Sequence, residues 1–184
     1  GIGYETVRIL AKCGAHVVLA ARNSIKGNEA VDKIIAEFPS AKVETQPLDL
    51  ADLSSIENFA TNFKEREIPL HVLINNAGIM GVPKGTTIDG FELQFGINHL
   101  GHFALTGHLI DNLLAERNGR IVNVASNAHR QGRLNFYDLQ STYRYGRMRA
   151  YAQSKLANLV FTADLSHKNE FLRNFCSLGG GESV

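Results

Sequence analysis

Cysteine is scarce: the chain of 184 residues has two, Cys13 and Cys176, far apart and without C-x-x-C spacing. That excludes a disulfide framework and a cysteine zinc site, and it suits a reducing compartment, so a cytoplasmic location is favoured. Long apolar runs are missing as well. None approaches the roughly 20 residues that span a bilayer, and no N-terminal stretch has the architecture of a signal peptide. Charge of one sign is not in excess: 19 Lys and Arg face 18 Asp and Glu, scattered rather than clustered. No footprint for nucleic acid or an anionic membrane surface follows, and Arg144, Arg147 and Arg149 read as a solvated loop. The chain opens on Gly1-Ile2-Gly3 without an initiator methionine. An upstream segment is expected to be missing, and any membrane attachment would lie there.

What is present is a 44% hydrophobic chain, enough for one globular domain with a sizeable core. Helix is expected from Tyr4 to Lys12, stopped by Gly14, then a buried strand at His16–Ala21. Ser24–Phe38 follows as helix and Lys42–Gln46 as strand. Ser54 or Asp52 caps a helix to about Arg66, and His71–Asn75 is the next strand. A long helical pattern runs from Asp89 to Glu116, closed by Asn118-Gly119. Arg120–Ala125 is a further strand, 127–148 a long functional loop, and Ala150 to Ser166 the last helix. Strict alternation with buried strands implies a doubly wound parallel α/β sheet, in one domain over 1–166, with 167–184 as a divergent, flexible tail.

In such a sheet ligands sit at the carboxyl ends of the strands. Gly1-Ile2-Gly3 precedes the first helix, where backbone N–H groups can meet a pyrophosphate. Arg22 directly follows the expected strand His16–Ala21, where an acidic residue would favour NAD; it either holds a 2′-phosphate, favouring NADP, or is a surface turn residue. Asp49, followed by Leu50, is placed for the adenine edge. Asn75-Asn76-Ala77-Gly78 ends a strand with small and amide-bearing residues that admit a flat ligand. Asn98 sits mid-helix, where asparagine is a poor former, and suggests a local kink and a bound water. His99 and His102 have i, i+3 spacing without a third ligand, so no metal is expected. Ser126 closes a strand outside any nucleophile elbow.

Tyr151-Ala-Gln-Ser-Lys155 is the most telling stretch: phenol and ammonium lie four residues apart on one helix face. A free tyrosine, with a pKa of about 10, is a poor proton donor or acceptor at neutral pH, and a neighbouring cation favours the phenolate. Taken alone, the pair reads first as a packed ring beside a solvated charge, because Y-x-x-x-K occurs by chance in many helices.

Together these elements resemble the short-chain dehydrogenase/reductase family from Gly1 to about Asp164. Gly1-Ile2-Gly3 matches the end of the cofactor loop, Asp49 the acidic residue at adenine, and Asn75–Gly78 the N-N-A-G motif. Asn98, Ser126, Tyr151 and Lys155 match the catalytic tetrad. Ile121–His129 and Tyr151–Asn158 are most similar to the branch of retinol dehydrogenases and WW-domain oxidoreductases. The resemblance implies reversible hydride transfer between NADP(H) and an alcohol or carbonyl compound. Tyr151 would move the proton, Lys155 hold the nicotinamide ribose, Ser126 orient the oxygen and Asn98 hold a relay water. It implies cofactor contacts from Gly1, Ile2, Gly3, Arg22, Asp49, Leu50, Asn75, Asn76, Ala77, Gly78, Tyr151 and Lys155, and a possible homo-oligomer through the last two long helices.

The chain departs from that family at both ends. It lacks the first strand, which lies centrally in the sheet, and no strand-turn pattern follows Leu165, so the C-terminal strands are also expected to be absent. Two alternatives stand beside the enzyme: a catalytically silent binding or regulatory piece, and a nucleotide-sugar epimerase that shares the Tyr-x-x-x-Lys pair. Leu134, Phe136, Tyr137, Leu139 and Tyr143 either line an apolar pocket for a retinoid, steroid or lipid aldehyde or pack the loop onto the domain.

Overall fold

The computed structural model describes residues 1–168 and 173–178, so the glycine-rich end at 179–184, expected to be flexible, lies outside the described residues. Two compact units emerge, Gly1–Asp49 and Leu50–Val184.

The first unit is α1 (Ile2–Lys12), β1 (His16–Ala21), α2 (Ser24–Glu37) and β2 (Lys42–Pro47). The strands are parallel, from His16 opposite Lys42 to Ala21 opposite Pro47. Apolar residues at spacings of three and four, Val7 with Ala11 and Val31 with Ile34, turn inward onto Val43 and form its core. Gly14 follows α1 with φ +88°, a left-handed conformation that suits glycine, as the sequence predicts. Asn23 caps α2 by accepting from the Lys26 N–H at 3.0 Å. One expectation needs correction: Ile2 and Gly3 are inside the first turn of α1 and only Gly1 precedes it. The helix reaches back to Ile2 because the Gly1 carbonyl accepts from Glu5 N at 3.2 Å and so closes its first turn.

The second unit holds α3 (Leu53–Glu65), β3 (Val72–Asn75), a single turn α4 (Leu93–Phe95), a π-turn (Gly96–Leu100), α5 (Gly101–Leu114), β4 (Arg120–Ala125), a 3₁₀ turn (Asn127–Gln131), α6 (Arg147–Lys168) and β5 (Arg173–Leu178). Its sheet is parallel, in the order β3-β4-β5. Asp52, one of the two candidate caps, accepts from the Ser54 and Ser55 N–H groups at the start of α3. Leu113 and Ile121 are fully buried, with Leu73, Ile110 and Leu165 packed around them.

Three differences from the sequence reading have physical causes. The strands form two parallel sheets, β1-β2 and β3-β4-β5, because among the described residues no strand hydrogen-bonds across from one group to the other. The long helix starts at Leu93 instead of Asp89, because the buried Glu92 carboxylate accepts from the Gln94 and Phe95 N–H groups at 2.9 and 2.7 Å, while Asp89 accepts from Leu53 N. Finally, β5 occupies part of the tail that was expected to hold no strand. Its mixed sequence carries little strand signal, and the pairing with β4 supplies what local propensity does not. Among the described residues no helix is long and apolar enough to cross a membrane.

Candidate active site

The expected site residues divide between the two units. In the first, Arg22 is exposed directly after β1, and Asp49 is half-buried two residues after β2. Both follow the carboxyl end of the β1-β2 pair, where Leu48 N donates to Ala21 O at 3.1 Å. Gly1 stands at the N-terminus of α1, which has no side-chain cap, and a β-carbon there would touch nothing within 4 Å.

In the second unit the remaining residues cluster around the ends of β3 and β4. Asn75 is buried, and its Nδ2 donates to Asn123 Oδ1 at 2.8 Å and Thr106 Oγ1 at 3.1 Å. Its Oδ1 is buried without a hydrogen-bond partner among the described residues. Asn76 is half-buried, whereas Ala77 and Gly78 turn outward and are exposed. A β-carbon on Gly78 would lie 3.1 Å from Asn98 Oδ1 and 3.5 Å from Lys155 Nζ. Leu50 is buried, and its carbonyl oxygen would lie 2.6 Å from a β-carbon on Gly101.

Asn98 lies on the π-turn, so the mid-helix asparagine does mark a local irregularity. It is fully buried: Oδ1 accepts from Ile79 N at 2.8 Å, and Nδ2 donates to Ile79 O at 2.9 Å and Ser154 Oγ at 3.0 Å. Its carbonyl oxygen faces His102 Nδ1 and accepts from Asn158 Nδ2, each at 3.1 Å. Every polar group of its side chain and its carbonyl is therefore engaged by protein.

Lys155 is buried on α6 and donates to Val124 O at 3.0 Å, with Nζ 5.8 Å from the centroid of the Tyr151 ring. Phenol and ammonium thus share one side of α6, as their spacing predicts. Ser126 directly follows β4 in extended conformation and caps the 3₁₀ turn, its Oγ accepting from Ala128 N at 3.2 Å. The turn presses on α6 through Gly132, where a β-carbon would lie 2.5 Å from Ala152 O.

The long loop is fastened by buried amides. Gln94, fully buried, accepts from Gly81 N and donates to Tyr145 Oη and Arg147 O. Tyr145 in turn donates to Val82 O at 2.8 Å, and burial raises its pKa. Gln153 Nε2 donates to Leu139 O at 2.8 Å. The aromatic residues expected to line a pocket or pack the loop do neither: Phe136, Tyr137 and Tyr143 are 77%, 98% and 89% exposed. Bonds from Gln94, Gln153 and Tyr145 hold the loop, and the rings of Phe136, Tyr137 and Tyr143 are left outside. A cavity of about 540 Å³ beside it is lined largely by polar residues, among them Arg133, Asn135, Ser141 and Gln153, with Leu134. Arg147 and Arg149 belong to the exposed first turn of α6 rather than to the loop.

Sequence reasoning misses a buried polar seam. Asn98, His102 and Thr106 recur at spacing four on the π-turn and α5, and Ser154, Asn158 and Thr162 recur at spacing four on α6. Asn75 and Asn123, register partners in the sheet, complete it through Thr106 and Thr162. Period-four polar stripes within otherwise apolar helices are the signal that could have revealed it. His99 is spent on Asn158 Oδ1 and an aromatic cluster with Phe95, Phe103 and Phe161. No group of three or more metal-ligating side chains occurs among the described residues.

The family model for short chain dehydrogenase matches residues 1–170. Retinol dehydrogenase 12 of Mus musculus is 48% identical over 168 residues, covering 91% of this chain and 53% of the relative. Polyprenol dehydrogenase of Homo sapiens is 48% identical over 169 residues, covering 90% and 51%. A solved structure of an uncharacterised protein from Mycobacterium paratuberculosis superposes with a TM-score of 0.83 at 42% identity, covering 98% of this chain and 65% of that one. The chain spans about half the length of the curated relatives it matches. It belongs to the short-chain dehydrogenase/reductase family, close to the retinol dehydrogenase branch.

Proposed function

We propose that the chain forms the cofactor-binding and catalytic part of an NADP-dependent oxidoreductase that interconverts an alcohol and its carbonyl compound, with a retinoid or another lipid aldehyde as substrate. The observation that carries this reading is Gly78: with no β-carbon, it brings the N-N-A-G turn against Asn98 and Lys155. The residues fit a dinucleotide in two further respects. Ala77 and Gly78 leave the strand end open to a flat ring, and the buried Asn75 Oδ1 has an unused acceptor there. Arg22, exposed after β1, is suited to a 2′-phosphate, which favours NADP over NAD. The relatives named for retinol and polyprenol both carry long apolar alcohols in their names, which supports a lipid substrate.

Bound NADP(H) would supply or accept the hydride. Tyr151 would give its phenolic proton to the carbonyl oxygen in reduction and take the hydroxyl proton in oxidation. Lys155, set by Val124 O, would place its charge beside that phenol and hold the nicotinamide ribose. Ser126 would hold the reacting oxygen through its hydroxyl. Asn98, with its polar groups engaged by protein, would fix the geometry around Gly78 and not serve as an open water ligand.

The test is titration of the chain with NADPH and NADH by fluorescence, followed by reduction of retinal. Saturable binding with NADPH preferred, and turnover lost by about 10²–10⁴-fold in Tyr151→Phe with binding retained, supports the reading. No saturable signal would favour a catalytically silent binding piece, and wild-type turnover in Tyr151→Phe would remove that residue from its role.

A further inference from the structure

Asn158 lies seven residues after Tyr151, buried on α6, and has no part in the four-residue set just described. Its carboxamide reaches two other structural elements, the π-turn and β4. Nδ2 donates to the Asn98 carbonyl of the π-turn at 3.1 Å and approaches the Val124 carbonyl of β4 at 3.4 Å. Oδ1 faces His99 Nδ1 at 3.1 Å, and the Asn158 carbonyl accepts from Thr162 Oγ1 at 2.7 Å.

The two carbonyls that Nδ2 meets are not equivalent to others nearby. The Val124 oxygen is the one that accepts from Lys155 Nζ, and Asn98 is the residue whose side chain grips Ile79, next to Gly78. One amide group therefore ties the anchor of the ammonium to the turn that shapes its surroundings. A π-turn is a local departure from regular helical bonding and persists where neighbouring groups hold it. Here two side chains from different helices, His102 and Asn158, meet the same backbone oxygen.

We propose that Asn158 is a positioning residue: it holds the Asn98 turn in register with Lys155, so that both flank Gly78 in one arrangement. The catalytic consequence rests on the oxidoreductase reading above. Its structural core does not, because the ties are internal to the protein.

Asn158→Leu keeps the side-chain volume but removes both donors, and Thr162→Val perturbs the same buried seam without touching Asn98 or Val124. In the full chain, amide hydrogen exchange across residues 95–102 should rise at least tenfold in Asn158→Leu and stay at wild-type rates in Thr162→Val. With NADPH and retinal, kcat should fall more than tenfold in Asn158→Leu while KM and the NADPH Kd stay within about threefold. Wild-type exchange over 95–102 in Asn158→Leu overturns the proposal, as does an equal rise in both variants or a rise spread evenly over the chain. Those are the marks of a merely structural asparagine. If Asn158→Leu does not fold, Asn158→Ser, with a hydroxyl too short to reach both carbonyls, is judged by the same exchange pattern. Failure of the wild-type chain to bind NADPH would overturn the oxidoreductase reading, and exchange would then decide the positioning role alone.

Discussion

Asn75 and Asn123 are direct partners across the parallel strands β3 and β4, and their carboxamides meet within the sheet layer at 2.8 Å. Asn123 is 1% exposed and passes the contact on by donating to Thr162 Oγ1 at 2.9 Å. Asn123→Ala would strand a donor on Asn75 and leave Thr162 without its incoming bond, both away from water. The expected cost is about 2–4 kcal/mol of folding stability. Urea unfolding at neutral pH measures it, and a loss within experimental error would mean that the seam is not a stabilising network.

Gly132 has ordinary backbone angles, so its need for glycine is one of space. A β-carbon would lie 2.5 Å from Ala152 O and 3.0 Å from His129 O, both backbone atoms that cannot swing aside. Gly132→Ala must push the 3₁₀ turn that Ser126 caps away from the α6 turn beside Tyr151. Overpacking of this kind costs about 1–3 kcal/mol. Retinal reduction should lose kcat by at least tenfold while NADPH affinity stays put, because Asn75–Gly78, where the cofactor is proposed to bind, are not touched. A parallel loss of NADPH binding would show that the turn acts on the whole unit.

Gly78→Ala presents a milder clash, 3.1 Å to Asn98 Oδ1. Whether it is tolerated depends on Asn98 giving way by a few tenths of an ångström. Asn98 cannot move freely, since Ile79, Ser154, His102 and Asn158 all hold it. The expected result is a fall in NADPH affinity of at least tenfold in a titration, with stability lowered by about 1 kcal/mol. An unchanged Kd would place the cofactor away from Gly78.

The sequence makes part of this legible. His16–Ala21 and Arg120–Ala125 are found as read, since short β-branched runs flanked by turn signals leave little choice. Tyr151 and Lys155 are brought to one side of α6 because helical spacing alone determines it. Other features depend on distant partners. The Glu92 cap is hidden because Asp89 offers an equally plausible start, and only the fold assigns Asp89 to Leu53 N. Gly132 resembles any loop glycine until Ala152 O is beside it. His99 and His102 read as a pair by spacing, yet they serve two separate hydrogen bonds. β5 owes its form to the free edge of β4.

His102 makes the stability of the second unit sensitive to acid. Burial lowers its pKa to about 4; the bond to the Asn98 carbonyl opposes the shift, and the charges of Lys155 and His99 add to it. In the unfolded chain the same group titrates near 6.5. Between these values the unfolded state binds the proton and the folded state does not, so stability rises with pH across that window. The contribution is complete above about pH 6.5 and is lost as pH falls toward 4, by about 2 kcal/mol at pH 5 and about 3 kcal/mol at pH 4. Burial lowers the pKa of His99 as well, in the same direction. His102→Asn leaves an amide donor close to the Nδ1 position and removes the titration. Its loss of stability from pH 7 to pH 5, from urea midpoints, should therefore be smaller than the wild type's by about 2 kcal/mol. Equal losses in the two proteins would show that His102 is already protonated, or is exposed to water, in the folded state.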